Sequence, residues 1–257
     1  MAPRDDDPIG SLVLAPSTVE DAFWLTVKAF NIAEKYQLPV IVLTDHYLAS
    51  SYSTVSPFDL SGVTIDRGAL LSHEDILRMG AYRRHQVTPS GISPRALPLE
   101  SRALVVTDSD EHDEEGHLTE DASTRTDMMN KRLRKLEGLK AEMGGPRLYG
   151  PERADATLVG WGSTYGALRE AVDILHRQHV DVNLLHLTEL WPLPFKPVFD
   201  VLVYANRKIV VENNATGQLA TLIRAETGIK ADARILKFDG RPFTPELIVR
   251  DFNKEVR

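Results

Sequence analysis

"ATLVGWGSTYGALREAVDILHRQHVDVNLLHL", residues 156–187, decides the fold class. "ATLVGWGS" is an apolar run of strand length, residues 164–178 read as a helix, and "DVNLLHL" reads as the next strand. The alternation continues toward the C-terminus. "KIVVENN" and "RILKFDG" are two more strands, and helical stretches fall at about 195–205, 216–227 and 244–253. Four successive βα units predict a mostly parallel sheet, covered by helices and wound with right-handed crossovers.

Upstream the pattern loosens. "SLVLAP" leads into "STVEDAFWLTVKAFNIAEKYQ", where Ser17 and Glu20 stand at capping-box spacing. Val19, Phe23, Val27 and Phe30 recur at helical spacing and predict the buried face. Leu38-Pro39 stops the helix, and "PVIVLTD" reads as a strand buried on both faces. Residues 49 to about 102 are rich in turn formers and weak in periodicity. A segment of that length without structure implies that it wraps a partner, or that the part of the domain it should pack on lies elsewhere. "RALVVTD" is expected to be a strand. "STRTDMMNKRLRKLEGLKAEM" is expected to be a helix with Met129, Leu133 and Leu136 on its apolar face, ended by "GGP" at 144–146. The expected domains are therefore residues 1–143 and 144–257.

With 37 acidic and 30 basic residues the net charge is −7, which argues against nucleic acid or an anionic membrane as partner. The absence of cysteine excludes disulfides, thiolate zinc sites and iron–sulfur clusters held by this chain. "MAPRDDDPIG" has no apolar core of a signal peptide, and no apolar run reaches the ~18 residues of a membrane span, so a cytoplasmic location is expected.

Several stretches carry candidate chemistry. "GWGSTYG" sets Gly160, Gly162, Ser163 and Gly166 at a strand-to-helix turn, where backbone N–H groups can receive an anion. A dinucleotide site would also need an acid at the end of the next strand, and Glu189 comes late for that role. The commoner reading is a tight turn that lets the helix pack on the sheet. "VENNATGQ", with Asn213 and Asn214, is a second polar turn at the same sheet edge, a helix cap or a ligand contact. Trp191 in "WPLP" reads as a packing anchor. Asp45 and His46 follow the "VIVLT" strand, and Arg95 in "SPRALP" is a candidate anion contact or an ordinary surface arginine. "SDEHDEEGHLTED", residues 109–121, concentrates Glu111, His112, His117 and six further acidic groups. It can be read as an acid/base pair, a metal cage or a hydrated loop, and its spacing is not that of a calcium loop.

In order along the chain, "LVLAPSTVEDAFWLTVKAFNIAEKYQLPVIVLTDHYLA", "GISPRALP", "DEHDEEGHLTED" with "KRLRKLE", "VGWGSTYGALREAV", "VVENNATGQLATLIRAETGIKAD" and "ILKFDGRPFTPE" resemble the α subunit of 2-oxoacid:ferredoxin oxidoreductases, of the 2-oxoglutarate type. The resemblance runs from about residue 12 to the end. It implies an α/β chain, with part of a pyrimidine-type thiamine-diphosphate domain followed by a transketolase-C-terminal-like domain. It also implies a β subunit that holds the diphosphate, Mg2+ and iron–sulfur clusters, and a hetero-oligomer that converts a 2-oxoacid and coenzyme A to acyl-CoA and reduces ferredoxin. Under it, "EHDEEGH" becomes a loop of structural or subunit-contact role, with no metal.

The family's α chains have a further stretch before the equivalent of Leu12. It includes the glutamate that works on the cofactor's aminopyrimidine, a Thr-Pro-Ser loop and a substrate-binding arginine, and these have no counterpart here. The expectation is that these 257 residues are inactive alone and need that half from a longer subunit or a separate chain. The alternative is a non-catalytic assembly module, and a nucleotide-dependent oxidoreductase built on "GWGSTYG" is a third reading.

Overall fold

The computed structural model describes residues 10–256. In chain order its elements are β1 (Leu12–Leu14), α1 (Val19–Tyr36), β2 (Val40–Val42), α2 (His46–Ala49), α3 (His73–Arg78) and α4 (Ala122–Lys140). There follow β3 (Arg147–Tyr149), β4 (Ala156–Trp161), α5 (Tyr165–Arg177), β5 (Val182–Leu187), β6 (Glu189–Trp191) and α6 (Phe195–Leu202). The chain ends with β7 (Arg207–Glu212), α7 (Gln218–Thr227), β8 (Ala233–Leu236) and α8 (Pro245–Val256).

The four expected βα units form a five-stranded sheet of order β3-β5-β4-β7-β8. Its inner strands are parallel, and β3 adds antiparallel at one edge. Side chains alternate across each strand, so adjacent residues feed different cores. Leu158, Leu184 and Val211 pack with Leu168 and Val172 of α5 and Phe252 of α8. Val159, Leu185 and Val210 pack with Val198 of α6 and Leu219 of α7 on the other face. This two-sided burial is why the central residues of these strands are mostly apolar on both faces.

The upstream part makes a three-stranded sheet of order β2-β1-β6. β1 and β2 are parallel, while β6, from within the downstream half, joins β1 antiparallel. Leu12 and Leu14 pack with Ala29, Ile32 and Tyr36 of α1 and Leu139 of α4.

Here the structure corrects several expectations. The cap of α1 is Thr18, whose hydroxyl accepts from Asp21 N at 3.0 Å, while Ser17 bonds the Asp21 carboxylate. Its buried side is Ala29, Ile32 and Tyr36, because Leu12, Leu14 and Leu139 lie there; Phe30, expected inside, is 70% exposed. On α4 the buried residues are Met128, Lys131 and Leu139, and Leu133 is exposed. Lys131 tolerates that position because its ammonium donates to His85 O at 2.6 Å. "RALVVTD" forms no strand among the described residues: nothing pairs with it, and Leu104 is exposed. β2 is apolar but sits at a sheet edge with Ile41 and Val42 exposed, against the expectation of burial on both faces.

Candidate functional site

The carboxyl ends of β2, β4 and β7 converge on one cleft of about 200 Å³, lined by Leu43, Asp45, Gly162, Ser163 and Asn213 among others. Asp45 caps α2, its Oδ1 accepting from Leu48 N at 2.9 Å. Its other carboxylate oxygen accepts from the Ser163 hydroxyl, across 118 positions of sequence. Ser163 belongs to a single 3-10 turn, Gly162–Thr164, which carries β4 into α5. Gly162 enters that turn with φ of 58°, a conformation that favours glycine. Beneath the turn, the fully buried His186 reaches Gly162 O from Nε2 at 3.0 Å. Burial pushes the His186 pKa down to about 3, so the ring is neutral and donates from Nε2.

Gly160 has a different task. A Cβ there would come within 2.2 Å of Leu168 Cδ1, so this glycine lets α5 close onto the sheet. Asn214 and Glu212 cap α7 from the end of β7. Asn214 Oδ1 accepts from Gly217 N at 2.7 Å. The buried Glu212 accepts from Leu219 N (2.8 Å), Ala220 N (3.1 Å), Asn214 Nδ2 (2.8 Å) and Trp161 Nε1 (3.3 Å). Both are occupied in holding the turn, and the exposed Asn213 is the asparagine that lines the cleft. His46 contacts Ser50 Oγ at 3.1 Å through Nδ1.

The acidic loop is a brace. Glu111 is clamped by Arg132 and Arg125 of α4. Burial favours its neutral form, but the hydrogen bonds from Arg132 and Arg125 outweigh that and hold its pKa at about 2. Asp113 Oδ1 accepts from Glu115 N, Gly116 N and His117 N at 2.9 to 3.0 Å. Glu114 accepts from Val87 N at 2.7 Å and from Arg83 at 2.8 Å, and the His112 ring packs on His85 with centroids 3.9 Å apart. Burial, then the charges of His112 and Arg84, pushes His85 down to about 3. The loop thus ties residues 83–87 to α4. Ligand atoms of Asp113, Glu115 and His117 lie within 4.8 Å of one another, but the latter two are exposed and Asp113 Oδ1 is engaged by the backbone. Arg95 bonds Glu34 on α1 and does not line the cleft.

Sequence reasoning missed the polar seam between the halves. Arg147 of β3 donates to Asp21 and to Ser17 Oγ, and Lys28 of α1 pairs with Glu189. Burial favours a neutral Asp21, yet the hydrogen bonds from Arg147 and Ser17 keep its pKa below the ordinary carboxylate value. Glu189 also accepts from Gly144 N at 2.7 Å, which removes it as a ribose ligand. A lysine inside the apolar run "FWLTVKAF" was the available signal.

A parallel sheet covered on both faces, with polar side chains converging where its strands end, is the architecture of a ligand-binding α/β enzyme domain. Residues 1–131 match the family described as pyruvate flavodoxin/ferredoxin oxidoreductase, thiamine diphosphate-binding, and residues 154–248 match pyruvate:ferredoxin oxidoreductase core domain II. The chain belongs to the α-subunit family of 2-oxoacid:ferredoxin oxidoreductases. It is 41% identical over 90% of its length to 2-oxoacid:ferredoxin oxidoreductase 2, subunit alpha, of Aeropyrum pernix, and spans 36% of that relative. It is 23% identical to 2-oxoglutarate synthase subunit KorA of Methanothermobacter thermautotrophicus, covering 93% of this chain and 62% of the relative. Its structure resembles that of 2-oxoglutarate:ferredoxin oxidoreductase from Magnetococcus marinus, solved with 2-oxoglutarate, coenzyme A and succinyl-CoA bound. That likeness has a TM-score of 0.88 at 33% identity and covers 96% of this chain and 42% of that one.

The thiamine cofactor requires a carboxylate free to hold the N1′ edge of its aminopyrimidine. Among the described residues the buried carboxylates are Asp21, Glu189 and Glu212. The first two are ion-paired and the third accepts four hydrogen bonds within the turn. The residues present therefore do not by themselves fit the reacting edge of the cofactor.

Proposed function

We propose that these residues are part of the α subunit of a thiamine-diphosphate-dependent oxidoreductase that takes 2-oxoglutarate to an acyl-CoA and passes the electrons to ferredoxin. The observation that carries this reading is the likeness, over nearly the whole chain, to the Magnetococcus marinus enzyme solved with 2-oxoglutarate and coenzyme A. The weaker likeness to 2-oxoglutarate synthase subunits points the same way.

The enzyme is a cytoplasmic hetero-oligomer. A β subunit supplies the diphosphate and Mg2+ site and the iron–sulfur clusters, consistent with a chain that contains no cysteine. No helix among the described residues is long and apolar enough to cross a membrane. The chain spans about a third of the length of its first relatives, and the aminopyrimidine carboxylate comes from outside these residues. Alone, the 257 residues are inactive. Asp45, Ser163 and Asn213 line the approach to the reacting centre, and the acidic loop braces the domain beside a subunit contact.

The test is to isolate the complex that carries this chain from its cells and to compare substrates. With coenzyme A and a redox acceptor, turnover of 2-oxoglutarate is expected to exceed that of pyruvate and to stop when the thiamine cofactor is removed. A preference for pyruvate overturns the substrate assignment, and a complex without any 2-oxoacid turnover favours the assembly role.

A further inference from the structure

His186 stands where the fold calls for an apolar side chain. It follows Val182 and Leu184 at alternate positions of β5, so its ring joins the face that packs against α5 and α8. It is fully buried, and its Nδ1 has no hydrogen-bond partner among the described residues. Burying an imidazole with one ring nitrogen unmet lowers stability in a way that a leucine at the same position would not. A buried polar group that weakens the fold points to a task other than stability.

What the ring supplies and a leucine cannot is a donor to Gly162 O, at 3.0 Å from Nε2. The same carbonyl accepts from Tyr165 N, the bond that closes the 3-10 turn. Tyr165 also meets the imidazole edge-on, with ring centroids 4.9 Å apart. Thr164 adds a further tie, its hydroxyl donating to Trp161 O at 2.7 Å. Gly162 and Thr164 are buried, and half-buried Ser163 between them is the one whose side chain crosses to Asp45. The donor on Gly162 O is thus one peptide away from the Ser163–Asp45 contact.

We infer that His186 is a positioning residue of the candidate site: through Gly162 O it fixes the 3-10 turn so that the Ser163 hydroxyl meets Asp45 in the cleft. β5 suits the task, because it is an inner strand held by β4 on one side and β3 on the other. Asp45 belongs to the upstream half and Ser163 to the downstream half, so their contact depends on how firmly the turn is held. His186 itself does not line the cleft. Its effect on turnover rests on the reading, made above, of this cleft as the approach to the reacting centre.

Four variants of the assembled enzyme test it: His186→Leu, His186→Gln, Ser163→Ala, and His186→Leu combined with Ser163→Ala. Leucine fills the site without a donor, whereas glutamine offers an amide N–H to Gly162 O. His186→Leu should lower kcat/KM about threefold or more, and His186→Gln should recover most of that loss. The double variant should be no slower than the slower single one, because both changes break the same contact, whereas a loss through weakened folding would multiply with that of Ser163→Ala. Hydrogen exchange of the complex reads the turn without substrate. Amides of residues 163–166 should exchange at least about tenfold faster in His186→Leu than in wild type, with the rest of α5 unchanged. Any of three results overturns the inference: losses that multiply, a glutamine variant as impaired as the leucine one, or a turn whose exchange stays the same. Faster exchange of the turn with kcat/KM unchanged in all four variants would instead sink the reading of the cleft, and the role of His186 in turnover with it.

Discussion

Arg132 meets Glu111 at two points, Nη2 to Oε1 at 2.7 Å and Nη1 to Oε2 at 3.1 Å. Arg125, two helical turns earlier on α4, adds a third contact to Oε2 at 2.7 Å. The Glu111 side chain is only 11% exposed, so this is a sheltered, charge-assisted clamp between the acidic loop and α4. Glu111→Gln should cost about 1–3 kcal/mol, since it removes the carboxylate charge that both guanidinium groups bond and turns one acceptor oxygen into a donor.

The same clamp sets an acid limit. The Glu111 pKa falls from 4.5 to about 2 on folding, so between those values the unfolded chain binds more protons than the folded one. The contribution is therefore complete above pH 4.5 and disappears as the pH drops toward 2. Urea unfolding at several pH values should show wild type and Glu111→Gln differing most near neutrality and converging in acid. A constant difference down to pH 2.5 would contradict the clamp.

Lys131 and Lys135 should act in the alkaline range, with the same sense of proton linkage. Burial, then neighbouring cationic groups, lowers both pKa values from 10.5 to about 8. Between pH 8 and 10.5 the unfolded chain again binds more protons, so stability should rise with pH across that window. The double variant Lys131→Met with Lys135→Met should flatten this rise, which thermal melts from pH 7 to 10 would detect.

Two glycines six residues apart should respond in opposite directions. Gly160→Ala drives a methyl to within 2.2 Å of Leu168 Cδ1 and 3.0 Å of Thr164 Oγ1, and should destabilise by about 1–3 kcal/mol. At Gly166 a Cβ meets nothing within 4 Å, and Gly166→Ala should gain about 0.5 kcal/mol from reduced unfolded-state freedom. Equilibrium denaturation of the two variants provides the comparison.

The downstream sheet was legible because a strand buried on both faces is mostly apolar, and β4 and β7 each lead into a helix, as β5 does after the short β6. β3 and β6 were not legible. "RLY" and "ELW" carry no pattern of their own and become strands by pairing with β5 and β1. The α1 phase was misread because Phe23, Val27 and Phe30 outweigh Ala29 and Ile32 in size, whereas burial is decided by where Leu12 and Leu14 lie. Sequence reasoning put Asp45 and Ser163 at strand ends, but their contact depends on how the two sheets are set against each other. Arg95 stood between an anion contact and an ordinary surface arginine because nothing local reveals that Glu34 reaches it.

Asp45 provides the functional prediction. Asn at this position retains a side-chain oxygen for the Leu48 N–H, so α2 keeps its cap, while the charge beside Ser163 is lost. If the cleft at the ends of β2, β4 and β7 lines the approach of the 2-oxoacid, Asp45→Asn in the assembled enzyme should lower kcat/KM about tenfold or more, while unfolding stability moves by less than about 1 kcal/mol. Ser163→Ala removes the hydroxyl that positions the carboxylate and should change kcat/KM in the same direction by a smaller factor. Steady-state kinetics of both variants, read beside their melting curves, separate a role at the site from a role in folding. Unchanged kcat/KM in Asp45→Asn would remove the cleft from the catalytic path and leave Asp45 as the cap of α2.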